Sequence, residues 1–105
     1  MIKGKQLQLW NVRNVTVTDS PVTAASGDWI HANTAGGDVQ VNGPEIGTWG
    51  ASKASSGDAN NVNVSCTGGG TIAGAATQSF NAPFASMTLV GNGAGADIQS
   101  FFAGT

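Results

Sequence analysis

Asn60-Asn61-Val62-Asn63-Val64-Ser65-Cys66 is the stretch that decides the fold class. In an extended chain Val62, Val64 and Cys66 share one face while Asn61, Asn63 and Ser65 share the other, the period of two that marks a half-buried strand. The same alternation recurs on both sides. Leu7 and Leu9 alternate with Gln6 and Gln8, and Val15 and Val17 with Thr16 and Thr18. Asp28 to Ala32 carries Trp29 and Ile30 and is stopped by Asn33 and by Gly36-Gly37. Val39 and Val41 follow, closed by Asn42-Gly43-Pro44. Beyond Gly68 to Gly70 come Thr71-Ile72, Phe80, Ser86 to Val90 and Ile98 to Phe102.

No window holds a helical period over ten residues, and three Leu, one Glu and three Lys leave few strong helix formers. Short strands separated by Gly-rich turns predict an all-β fold, a small antiparallel β-sandwich, β-prism-like domain or partly open barrel. The N-terminal 1–12 reads as a strand or arm available for partner contact, and 13–105 as a single β-domain.

Composition sets the stability problem. Only 21 of the 105 residues are Leu, Ile, Val or Phe, whereas Gly, Ala, Ser, Thr and Asn supply 59. Low apolar content usually signals disorder when net charge is high, but here the formal charge is −2. The chain reads as folded, core-poor and dependent on oligomerisation for part of its stability. No apolar run is long enough to span a membrane, and Met1 to Gln6 lacks the apolar segment of a secretory signal. Four basic residues against six acidic ones give no footprint for nucleic acid or for anionic lipid. The single cysteine, Cys66, excludes an intrachain disulfide framework and a cysteine-based zinc site.

Few residues suggest chemistry. Ser26, Asp28 and His31 can be written as a triad, but Asp28 and His31 fall on opposite faces of one strand, and a lone half-buried histidine is the plainer reading. Asp58, Asn60, Asn61 and Asn63 offer oxygen ligands without the spacing or closing Glu of a calcium loop; turn chemistry explains them equally. Asp19, Asp28, Asp38 and Glu45 define no carboxylate pair of the glycosidase type. Gly91-Asn92-Gly93-Ala94-Gly95 lacks the Lys-Ser or Lys-Thr of a phosphate loop and reads as a turn. No catalytic, cofactor or metal site is predicted, and the chain is not read as an enzyme.

Aromatic residues are the better candidates for binding. Trp29 is predicted in the core, and Trp10 and Trp49 at an interface. Phe101 and Phe102 are adjacent, so on a strand they face opposite ways and both cannot enter one small core. One of them is expected to meet another chain.

Ser26-Gly27-Asp28-Trp29-Ile30, then Thr34-Ala35-Gly36-Gly37-Asp38-Val39-Gln40-Val41 and Pro44, resembles a β-module that recurs in bacteriophage tail fibres and other virion structural proteins. The second half is similar too, in Asn61 to Val64, Gly70 to Gly74, Ala85 to Val90 and the Asn92-Gly93 turn. Asn42-Gly43-Pro44 stands where the module usually has Leu-Pro, and Asp97-Ile98 where a tryptophan often follows the last turn. The resemblance implies a trimeric part of a phage particle, with no catalytic residues.

A chain that starts at Met1 and ends after one module suits a surface lattice better than a long fibre. The leading expectation is a homotrimeric capsid decoration, or cement, protein that binds the major capsid protein on the virion surface. Ile2, Lys3, Lys5, Leu7, Trp10, Trp49, Phe101 and Phe102 are the predicted partner-binding residues. The alternative is a tail-associated adhesion module that binds host glycan through exposed tryptophans.

Overall fold

The computed structural model describes residues 10–55 and 57–104. Among these residues ten strands form two sheets. They are β1 (Asn11–Thr16), β2 (Val22–Thr23), β3 (Asp28–Asn33), β4 (Val39–Gly43), β5 (Thr48–Lys53), β6 (Val62–Cys66), β7 (Thr71–Ile72), β8 (Gln78–Phe80), β9 (Ser86–Gly91) and β10 (Gly95–Phe102). Sheet A runs β1-β3-β5-β9-β10-β7 and sheet B runs β2-β4-β6-β8. Among the described residues the only helical element is a single 3₁₀ turn at Val17–Asp19. The all-β expectation is met.

The antiparallel expectation needs correction. From β1 to β6 the chain passes alternately between the sheets, so each coil lays one strand on each sheet in parallel with the strand before it. Asn11 pairs with Asp28 and Trp29 with Gly50 on sheet A, while Val22 pairs with Val41 and Val39 with Val62 on sheet B. One coil therefore takes about twenty residues, and the arrangement is solenoid-like. Antiparallel pairing begins only where β8 returns along β6 and β9 along β5 and β10. One-sided alternation is identical for parallel and antiparallel strands, and between β1 and β6 the Gly-rich turns are arches to the opposite sheet.

The two inner faces meet in a core built from stacked rows. On sheet B, Val22, Val41 and Val64 form one row and Val39, Val62 and Phe80 the next. On sheet A, Ile30, Ala51 and Met87 align, and Trp49 lies beside Leu89. All of these are buried.

Small residues create room for the one very large core side chain. A Cβ on Gly43 would fall inside the indole of Trp49, so glycine at the end of β4 lets the ring lie against backbone. The Trp49 Nε1–H donates to the carbonyl of Pro44 at 3.0 Å, which satisfies its only polar atom. Sequence reading put Trp49 at an interface and Trp29 in the core, and the structure reverses both. Trp49 is fully buried, whereas Trp29 alternates to the outer face of β3 and is half-buried.

Two strands escaped the sequence reading. β2 is only two residues long, and β5 contains Gly50, Ala51 and Ser52, none of which announces a strand. β5 nevertheless carries the most unusual group of the core. Lys53 is fully buried at its end, in the row that also holds Val15 and Ala32.

Candidate functional site

Lys53 explains the Asp and Asn cluster that follows it. Its Nζ donates to the carbonyls of Asp58, Asn60 and Asn81, each at 2.8 Å, and to Asp58 Oδ1 at 3.1 Å. The Asp58 carboxylate also accepts from Thr34 Oγ1 and from the Asn60 N–H. The ammonium thus occupies the centre of an oxygen cage and ties the loop after β5 to the loop before β9. Asn63 Oδ1 accepts from Ser79 Oγ at 2.6 Å instead of turning to that cage, and the Asn61 N–H donates to Asp38 Oδ1. The side-chain oxygens of Asp58 and Asn63, two of the four residues weighed as calcium ligands, are thereby engaged in holding the fold.

Asp28 and His31 are separated as their spacing required. Asp28 faces inward and accepts hydrogen bonds from the Ala25 N–H, Asn11 Nδ2 and Arg13 Nη1. Burial pushes its carboxyl up, but those three donors and the Arg13 charge outweigh it and hold the group below its ordinary value. His31 faces outward, and its Nδ1 lies 2.7 Å from Ser52 Oγ. Ser26 is exposed in the turn before β3. The three do not converge.

The glycine clusters hold Glu45. Its Oε2 accepts from the Gly70 N–H at 2.7 Å, and side chains on Gly68 or Gly70 would collide with its carboxylate. Its carbonyl accepts from the Gly93 N–H, with Gly93 at φ +89°. Cys66 is buried, and burial, and then the charge of Glu45, push its thiol up.

Two outer surfaces remain. At one end lie all four phenylalanines of the chain. Phe80 ends β8, Phe84 sits in the next loop, and Phe102 pairs in register with Ser86, two residues beyond Phe84. The rings of Phe80 and Phe101 are 6.2 Å apart. Phe84, Phe101 and Phe102 are 53%, 50% and 54% exposed. Among the described residues β7 pairs with β10 only at Gly95 and Ala96, so there the Phe-bearing end of β10 has one sheet neighbour, β9.

The second surface is the outer face of sheet A around Trp29. Its Nε1–H donates to Ser52 Oγ at 2.9 Å, and Trp10 meets it at 5.1 Å between centroids with an interplanar angle of 66°. A shallow hollow of about 540 Å³ lies beside β1 and β2, but the Arg13 guanidinium at its lining is already engaged by Thr23 O and Asp28.

Of the predicted partner-binding residues, Phe101 and Phe102 are exposed together at one end, and Trp10 is half-buried against Trp29. Trp49 is removed from the set by its burial. Ile2, Lys3, Lys5 and Leu7 lie outside the described residues. Phe84 was missed because a single aromatic beside Pro83 in a loop has no period to read. No protein-family model matches the sequence, and no curated protein matches it either.

Proposed function

We propose that this chain is a structural protein of a bacteriophage virion that assembles as a homotrimer and decorates the capsid surface, stabilising the lattice of the major capsid protein. The phenylalanine end carries the reading. Three half-exposed Phe side chains gathered beside a partly unpaired strand are a costly surface for a monomer and a natural one for an interface. The resemblance of Ser26 to Pro44 and of Asn61 to Ile98 to phage virion modules supports the same class. The action would be mechanical, since a protein that binds only the assembled shell favours it by mass action. The β-prism-like trimer belongs to this proposal.

Light scattering on the purified chain at micromolar concentration tests the assembly. A trimer that Phe101→Ser/Phe102→Ser converts to a folded monomer is the expected result, and a folded wild-type monomer would overturn the trimer. Quantifying the chain against the major capsid protein in purified particles tests the location. Decoration requires a copy number comparable to that of the lattice, whereas a handful of copies would place it in the tail.

A further inference from the structure

We infer that the outer face of sheet A around Trp29 is a binding platform for a neutral saccharide, independently of where the protein sits in a particle. Trp29 is anchored at two points on the neighbouring strand. A Cβ on Gly50 would collide with the Cζ3 and Cε3 atoms of its ring, and its Nε1–H is committed to Ser52 Oγ, two residues further along β5. The indole therefore lies lengthwise over β5, with the bare backbone of Gly50 beneath it. Trp29 is half-buried, so part of the ring stays open to the outside, and Trp10 packs edge-on against it at 66°.

The surroundings select the ligand. The eight residues of the Val12-Trp29-Gly50-Thr88 row and the adjoining Asn14-His31-Ser52-Ser86 row share this face by register and by alternation with the buried residues, and Ser100 and Phe102 of β10 border its far edge. None of these eight residues is acidic or basic except His31, whose Nδ1 is tied to Ser52. A phosphate, sulfate or carboxylate ligand finds no lysine or arginine among them. An aromatic plane with amide and hydroxyl groups around it matches a sugar ring, which has an apolar C–H face and a polar rim. Ser52, 8% exposed, fixes both aromatic side chains and is a positioning residue.

The three tryptophans give the test an internal control, because Trp49 is fully buried. ¹⁵N-labelled protein would be titrated with maltohexaose, cellohexaose and chitohexaose to about 20 mM, a range that covers weak millimolar binding, while the indole N–H signals are followed. The expected result is a saturable shift of the Trp29 and Trp10 signals by at least one of them, with Trp49 unmoved. Trp29→Ala should weaken binding at least tenfold. Gly50→Ala, which keeps the ring but lifts it off the sheet, should weaken it several-fold, and Trp29→Phe should retain part of it. An unshifted Trp49 signal reports that each variant is folded. No shift with any of the three, binding unchanged by Trp29→Ala, or binding of sialylated oligosaccharides alone would each overturn the inference.

Discussion

Replacing Lys53 by methionine keeps most of the side-chain volume and removes the ammonium. In the native protein that group gives hydrogen bonds to three backbone carbonyls and one carboxylate from a position with no solvent exposure. Methionine fills the space but donates nothing, so Asp58, Asn60 and Asn81 carbonyls and one Asp58 oxygen lose a partner together. Breaking a buried ion pair from one side costs about 3–5 kcal/mol, and the orphaned carbonyls add to it, relieved where water enters as the loops loosen. About 4 kcal/mol is the expected loss. That is a large share of the roughly 5–15 kcal/mol that holds a small domain together, and at about 4–8 °C per kcal/mol it lowers Tm by some 15–30 °C.

Urea unfolding read by tryptophan fluorescence, at one fixed protein concentration, measures the loss directly. The pairing logic has its own check in a double-mutant cycle. Asp58→Asn in the Lys53→Met background should cost less than the same change in the native protein, because the ammonium is no longer there to be left unbalanced. A Lys53→Met variant within about 1 kcal/mol of the native protein would refute the cage as a structural staple.

Other outcomes follow from single contacts. Gly43→Ala forces the Trp49 indole off the backbone that supports it, and should destabilise by about 1–3 kcal/mol in the same urea experiment, with a red shift of the tryptophan emission. Asp28 makes stability depend on pH with a definite sign. Its folded-state pKa lies below its ordinary value, 3.8, so its contribution is complete above that value and is lost as the pH falls through the depressed one. Between pH 5 and 2 the native protein should therefore lose more stability than Asp28→Asn, a difference that thermal melts across that range would read.

How far the fold was legible depends on what each residue had to signal. Val39, Val41, Val62 and Val64 show their strands plainly, because a β-branched residue at every second position is both the cause and the mark of a half-buried strand. β5 hid because its inner face is Trp49, Ala51 and Lys53: a lysine at a core position reads as solvent-facing until its partners are known, and those partners are mainly backbone carbonyls with no side-chain identity at all. Trp29 and Trp49 were exchanged for a related reason. Each is the second residue of its strand, and what separates them is the glycine each lies against. Gly43 opens a space inside the core for Trp49, whereas Gly50 clears a flat place on the outer face for Trp29.

The same two contacts show why so core-poor a chain folds. Twenty-one strongly apolar residues cannot fill two sheets of ordinary spacing, so the sheets are lined largely with Ala, Val and Gly and closed over one indole, while a buried ammonium draws the loops inward. Stacking about twenty residues per coil lets each small side chain pack on its register neighbour as well as across the core, so little apolar volume goes unused. Economy of this kind has an open end. The coils must stop, and where β8, β9 and β10 turn back to stop them, the chain places all four of its phenylalanines and buries only Phe80. If the spare rings served only to cap the core, polar substitution at Phe84, Phe101 and Phe102 would cost little and change no association state; if they form the interface, the cost appears as dissociation. Measuring association and unfolding on the same variants separates the two.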